Sequence, residues 1–220
     1  MPARRSAGMR GLVFHVMNRA AKRVRLFDSE DDYLAFVRLI AQVQSVIPLP
    51  ILAYCVMPNH FHFIVRPSQD DELSAFMHRM TSIHARRWNV WRKTVGIGAV
   101  YQSRFKAFPV QTDHHFLVVC RYVEQNPLRA GLVSRAEDWD WSSLTDRCKK
   151  RERVALASWP IPQPSDWVEF VNRVPGSADL AGVRRSIRRG MPFGATEWVS
   201  MAADRLNIKE RGRPIGRPRS

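Results

Sequence analysis

The chain has 220 residues, 45% of them apolar and 10% aromatic, which suffices for a buried core in one or two domains and argues against wholesale disorder or a disulfide-stapled miniprotein. Thirty-five Lys and Arg against 20 Asp and Glu leave a net charge of +15. Such a field attracts polyanions, with nucleic acid ahead of an anionic membrane surface, because no apolar run approaches the roughly 18–20 residues of a spanning helix.

Cys55, Cys120 and Cys148 are odd in number and widely spaced, which predicts free thiols in a cytoplasmic protein. The basic start (Arg4, Arg5, Arg10) leads into a strand-like run instead of a secretory signal. That run, Gly11 to Met17, is β-branched, aromatic and apolar, and predicts a first strand. Asp28 stands where an N-cap belongs, acids at Glu30, Asp31 and Asp32 suit a first turn, and Tyr33, Phe36, Val37, Ile40 and Val43 recur at helical steps. Pro48 and Pro50 end this helix. Two short apolar runs, Ile51 to Val56 and His60 to Val65, flank Met57-Pro58-Asn59 and read as a hairpin. A second helix begins near Asp70 and Asp71, with Leu73, Phe76, Met77, Met80, Ile83 and Trp91 on one side.

After Gly96-Ile97-Gly98, Val100 to Val110 predicts a long polar fourth strand with Pro109 at its edge. The order β-α-β-β-α-β is the split βαβ, ferredoxin-like arrangement of an α+β fold. Thr112 as N-cap opens a third helix through Phe116, Val119, Cys120 and Val123, stopped by Pro127. The first two helices are expected on one sheet face and the third on the other. Beyond Asp138, four tryptophans (Trp139, Trp141, Trp159, Trp167) among prolines suggest an irregular connector, followed by short helices near Ser165 to Val174, Asp179 to Arg189 and Thr196 to Leu206. From Arg184 to Ser220 ten Lys or Arg face three acids, and the Gly, Pro and Arg of the terminal segment predict mobility until an anionic partner orders it. Residues 1–147 are thus read as one domain and 148–220 as a basic, helical C-terminal extension.

The sharpest local feature is His60-Phe61-His62. On a strand the two imidazoles project to one face and Phe61, Phe63 and Val65 to the other. Two neutral imidazoles can hold a divalent cation if a third ligand arrives from elsewhere; alone, the pattern is more often that of two ordinary histidines. The second feature is Arg121-Tyr122-Val123-Glu124-Gln125-Asn126-Pro127-Leu128-Arg129-Ala130. Tyr122 and Asn126, four apart, share a helix face, whereas Glu124 lies on another. Read in isolation, Tyr122 is a core aromatic and Asn126 a C-terminal cap.

MPNHFHFIV followed by RYVEQNPLRAGLV resembles the IS200-like single-tyrosine HUH transposases, and more closely their REP-associated tyrosine transposase branch. The similarity spans about residues 8 to 145, with HVMNR and YQSRFKAF in order, and the later RRGMPFG and terminal RGRP are also similar to that branch. The resemblance implies an HUH-type sheet carrying the tyrosine on its third helix. It implies Tyr122 as nucleophile, leaving a 5′-phosphotyrosine link and a free 3′-hydroxyl, with Mg²⁺ or Mn²⁺ held by His60, His62 and Asn126. In the canonical transposases the third ligand is usually glutamine four residues after the tyrosine; Asn126 departs from them and resembles the REP-associated branch. A free phenol, with a pKa of about 10, is a poor nucleophile near neutrality, so the metal and basic surroundings must favour the phenolate.

Arg104 and Lys106 on the fourth strand and Arg121 and Arg129 flanking the tyrosine are candidates to hold phosphates, or are solvated surface charge. Tyr101 and Phe105 either stack unpaired bases or belong to the core. Arg211 and Arg213 in the terminal RGRP suit an arm for narrow A·T minor grooves, or a nonspecific electrostatic tail. His15, His78, His84, His114 and His115 are read as structural or surface residues. The expected partner is single-stranded or hairpin DNA, in the cytoplasm and on the nucleoid, with no membrane. The subunit is monomeric, or homodimeric with a tyrosine donated by the partner. Two alternatives stand beside this reading. One is a non-catalytic nucleic-acid module on the same scaffold, against which stand His60 and His62 where an RRM shows stacking aromatics. The other is a rolling-circle initiator or relaxase, against which stand the small size and the lack of a second tyrosine on the same helix.

Overall fold

Four antiparallel strands, β1 (Val13–Arg19), β2 (Ile51–Met57), β3 (His60–Val65) and β4 (Lys106–Val110), form one sheet in the order β2-β3-β1-β4. The computed structural model describes residues 7–21 and 24–208, so Arg211, Arg213 and the expected mobile RGRP tail lie outside the described residues. Alternation decides the two faces. Phe14 and Val16 of β1 and Phe61, Phe63 and Val65 of β3 point to one core with α1 (Glu30–Gln44) and α2 (Glu72–Trp91). Val13 and Ile64 point to a second core with α3 (His114–Glu124). The α+β, ferredoxin-like arrangement with two helices on one face and the tyrosine helix on the other is therefore the observed one.

Local chemistry adjusts several boundaries. The N-cap of α1 is Ser29, not Asp28: its hydroxyl accepts from the Asp32 N–H while the Asp32 carboxylate accepts from the Ser29 N–H, a reciprocal capping box. Asp28 instead faces Arg25 and Arg92. Likewise Asp113 rather than Thr112 caps α3, its carboxylate accepting from the His115 N–H at 2.8 Å. Trp91 is 78% exposed and leaves the expected apolar seam, which runs instead through buried His84 and through Trp88, whose indole N–H donates to the Leu26 carbonyl. A 20-residue helix is about 30 Å long and outlasts the six-residue strand beneath it. The fourth strand is shorter than expected because its register slips: Lys106 pairs with Met17, but the next bridge joins Tyr101 to Ala20, so residues 102–105 bulge opposite Asn18 and Arg19.

Pro127 does not stop the helical path. Gln125 keeps right-handed helical angles and α4 (Asn126–Arg129) follows, with Pro127 in its first turn, where the missing N–H has no helical partner to lose. The remaining helices are α5 (Ser143–Cys148), α6 (Trp167–Asn172), α7 (Ser177–Arg189) and α8 (Thr196–Arg205). Of these α5 lies in the segment read as an irregular connector, α6 and α8 fall within the predicted segments, and α7 begins two residues before the predicted Asp179.

The chain beyond Asp138 seals the sheet. Along β2, Val56 N–H donates to the Trp141 carbonyl at 2.9 Å and Ala157 N–H to Ile51 at 2.8 Å. Along β4, Phe193 N–H donates to the Pro109 carbonyl at 2.9 Å and Gln111 N–H to Phe193 at 3.0 Å. Both exposed ladders are thus paired, which removes the hazard of open edges, and Pro109, which has no N–H, sits on the edge strand. Trp167, Val171 and Val183 enter the second core beside α3. The three cysteines are unpaired, Cys55 and Cys120 being buried. Among the described residues no helix is long and apolar enough to cross a membrane.

Candidate active site

On the sheet face under α3, the antiparallel register sets Met17 opposite His62, Arg19 opposite His60 and Lys106 opposite Met17. His60 and His62 project to this face, as the alternation predicts, with ring centroids 4.9 Å apart and nearly perpendicular. Tyr122, on the last turn of α3, stands edge-on to His62 with centroids 6.0 Å apart. Asn126, at the start of α4, brings its amide nitrogen to 3.5 Å from His60 Nε2; a half-turn about the terminal bond puts the amide oxygen in the same place, and the assignment of O and N is interchangeable. The four residues named from the motifs therefore converge, and they do so within one chain.

Each imidazole is held by its Nδ1. His60 Nδ1 lies 2.7 Å from the Asn59 amide oxygen, an acceptor, so the His60 Nδ1–H donates and Nε2 is left bare. His62 Nδ1 lies 2.8 Å from Nε2 of His15, a residue expected to be merely structural or on the surface. His15 is fully buried, its ring nearly parallel to that of His62 at 5.0 Å and edge-on to Tyr122 at 6.2 Å. Burial first, then the positive charges of Arg19 and Arg129, hold His60 down to about 4, and burial holds His62 well below the ordinary histidine value. Both rings are neutral at physiological pH, the form that binds a metal.

The cations divide. Arg129 lies with its guanidinium carbon 4.1 Å from the centroid of the Tyr122 ring and donates to the Tyr122 carbonyl at 2.8 Å. Burial, and the charge of Arg184 on α7, pull the Arg129 guanidinium below its usual value. Arg19, not singled out beforehand, is close enough to His60 to depress it, and its buried Nε has no hydrogen-bond partner among the described residues. Lys106 and Arg104 are exposed. Arg121, in contrast, is 8% exposed and committed: it donates to the Arg173 carbonyl at 2.6 Å and lies over the Phe170 ring, so it fastens α3 to the C-terminal chain instead of facing the site. Tyr101 is no stacking platform, since its hydroxyl is 2.6 Å from His84 Nδ1 and its ring packs on Phe61. Phe105 is partly buried against the first core.

Asp113, His114 and His115 form a separate group whose ligand atoms lie within 4.8 Å of one another. This group sits at the opposite end of α3, about 12 Å along the axis from Tyr122 at 1.5 Å per residue, and its carboxylate already serves as the N-cap. It is no part of the tyrosine site. His15 and Arg19 in HVMNR and Asn59 in MPNHFHFIV lie inside the quoted motifs, but the motifs alone give them no role at the site. Their signal was present in the alternation His15, Met17, Arg19 once β1 is paired with β3.

A family model described as "Transposase IS200 like" matches residues 9–126, more than half of the chain. A Haemophilus influenzae protein described as a REP-associated tyrosine transposase is 26% identical over 105 residues, covering 44% of this chain; the chain spans 60% of that relative's length. The solved structure of a REP-associated tyrosine transposase bound to a REP hairpin superposes with a TM-score of 0.55 at 21% identity, covering 75% of this chain and 95% of that one.

Proposed function

Because the chain belongs to the family of IS200-like transposases, we propose that it cleaves and rejoins single-stranded or hairpin-forming repeat DNA through a covalent link to Tyr122, as a member of the REP-associated branch. The observation that carries this reading is the convergence of one phenol and two neutral imidazoles from separate elements, Tyr122 lying 6.0 Å from His62, which in turn lies 4.9 Å from His60. The solved relative holds a REP hairpin, and a hairpin-forming repeat is the substrate class we carry over to this chain.

The donor set fits a divalent cation: bare Nε2 on His60, the outward Nε2 of His62 and the amide of Asn126. A bound Mg²⁺ or Mn²⁺ would neutralise charge on the non-bridging phosphate oxygens. Tyr122 Oη attacks phosphorus in line with the departing 3′-oxygen. The P–O3′ bond breaks, a P–Oη bond forms, and the phenolic proton ends on the 3′-hydroxyl, so a 5′-phosphotyrosine and a free 3′-end result. The ester keeps the bond energy, and attack by a 3′-hydroxyl in the reverse sense rejoins strands without ATP. Arg129 puts a fixed positive charge beside the phenol, where negative charge develops. Arg19, with its unpartnered buried Nε, and Lys106 on the same face supply cations for phosphates, and Arg104 lies on the adjoining exposed segment. Arg184, Arg185 and Arg188 form an exposed stripe on α7 that extends the basic rim away from the tyrosine. Arg211 and Arg213 are proposed to add phosphate or minor-groove contacts from the C-terminal end.

The test is a denaturing gel of protein incubated with a hairpin oligonucleotide and Mg²⁺ or Mn²⁺. The wild type forms a covalent adduct, and Tyr122→Phe forms none while binding the oligonucleotide with unchanged affinity. An adduct that survives Tyr122→Phe moves the nucleophile elsewhere. Binding with no adduct under either metal leaves the non-catalytic reading.

A further inference from the structure

We propose that His15 is a positioning residue for the cation site: through its bond to His62 it decides which nitrogen of His62 carries the proton, and hence whether His62 can take a metal. The inference rests on the function proposed above. His15 and His62 lie on adjacent strands, diagonal to one another in the β1–β3 register, and both are buried at 2% exposure or less. Their hydrogen bond of 2.8 Å joins two imidazoles, so one nitrogen must donate and the other accept.

Two arrangements satisfy that bond. In one, His15 Nε2–H donates to His62 Nδ1; neutral His62 then carries its proton on Nε2, and the nitrogen facing the site is blocked. In the other, His62 Nδ1–H donates to His15 Nε2; the Nε2 of His62 is bare, and the proton of His15 sits on its own Nδ1. The two differ by one proton crossing the bond and a second passing from His62 Nε2 to His15 Nδ1 through solvent, with no net gain or loss.

His15 Nδ1 is buried without a hydrogen-bond partner among the described residues. The metal-competent arrangement therefore buries an unsatisfied N–H, and the blocked one leaves only an unsatisfied lone pair. His60 is backed by a side-chain amide instead: with the Asn59 oxygen placed 2.7 Å from Nδ1, the His60 Nδ1–H donates and Nε2 carries no proton. The site thus pairs one ligand backed by an amide with one whose readiness depends on a second imidazole. A purely space-filling role does not account for an imidazole here. The ring packs edge-on against Phe108 at 4.9 Å, where a phenylalanine would fill the volume and satisfy position 15 itself but leave the buried Nδ1 of His62 without its partner. Partners behind metal-bound histidines set tautomer and ring orientation in this way.

The experiment follows the tautomers of His15 and His62 by ¹⁵N NMR in the whole chain, first metal-free and then with Mg²⁺, alongside Mn²⁺ affinity by calorimetry without DNA. In the wild type, Mg²⁺ moves the His62 proton to Nδ1 and the His15 proton to Nδ1. His15→Phe weakens Mn²⁺ binding about ten- to a hundredfold. His15→Glu, whose ionised carboxylate can only accept from His62 Nδ1–H, restores affinity to within a few-fold of wild type and holds His62 as the Nδ1–H tautomer even without metal. Equal Mn²⁺ affinity in all three proteins overturns the proposal. So does a His62 tautomer in His15→Glu identical to the metal-free wild type, or a wild-type pair whose protons stay in place when Mg²⁺ binds; this last measurement needs no variant to fold. A wild type that binds neither cation refutes the metal site itself, while the metal-free tautomer of His62 in His15→Glu still decides the role of His15.

Discussion

His84 shows what a buried imidazole does when no function is asked of it. It packs on α2 against Phe27 and Phe36, at 5.4 and 4.8 Å between centroids, with Nδ1 2.6 Å from the Tyr101 hydroxyl. Burial pushes it down to about 4, against the opposing pull of Asp32. In the unfolded chain the same ring takes its proton near the ordinary value of about 6.5. Between those two values the unfolded state binds more protons, so stability falls as pH drops from about 6.5 and stops falling from this source below about 4. The contribution is on the order of 3 kcal/mol at most. Urea denaturation at pH 7 and pH 4.5 should therefore show a smaller loss for His84→Gln than for the wild type, by about 2–3 kcal/mol. Equal losses would mean that His84 titrates normally in the fold. The same burial at His60 has a different use, because there it keeps the Nε2 lone pair available at neutral pH.

The tyrosine helix is held from behind. Glu124 is fully buried on α3, and its carboxylate accepts from Ser143 Oγ at 2.5 Å, from Arg147 at 2.9 Å and from the Trp167 indole N–H at 2.7 Å. These three donors, from α5 and α6, fix the rotation of α3 and so the aim of Tyr122 two residues earlier. Removing the carboxylate strands a part-buried guanidinium and two buried donors. Glu124→Ala should lower stability by about 3–5 kcal/mol, read from the urea midpoint, and should reduce adduct formation with Tyr122 under conditions where the variant remains folded. The placement of Glu124 away from the site was legible in the sequence, because helical spacing is local physics: residues 122 and 126 share a face and 124 does not. The same holds for His60 and His62 on a strand. The N-caps stand one position later than expected because Asp28 and Ser29 are adjacent residues of similar capping ability and Thr112 is followed by Asp113, the better cap. The lengths of β4 and the role of His15 were not legible, since each depends on the register of strands far apart in sequence. The three-donor cradle of Glu124 belongs with them, because it joins α3 to α5 and α6 and carries no periodic signal.

At the scale of the whole molecule, the C-terminal chain has two separable duties. Residues from Trp141 to Phe193 complete the fold: they pair both edges of the sheet and place Trp167, Val171 and Val183 in the core around α3. The division at 147 is therefore proposed as one of function, not of folding. A chain ending at 147 leaves β4 with an open edge and α3 with Phe116 and Val119 uncovered, and it should melt without a cooperative transition or aggregate. A chain ending at 208 keeps every described packing contact and should melt like the full protein. It nonetheless lacks Lys209, Arg211, Arg213, Arg217 and Arg219 against a single acid, Glu210. Each phosphate contact contributes about 0.7–0.9 to the slope of log affinity against log salt. Fluorescence anisotropy with a hairpin oligonucleotide across a salt series should then give a slope shallower by up to about 4 for the 1–208 chain, if all five cations engage phosphate. An identical slope would assign the terminal cations no phosphate contact and leave binding to Arg19, Lys106, Arg129 and the stripe on α7. A cooperative melt of the 1–147 chain would show that the first segment folds alone and that the later helices only cover it.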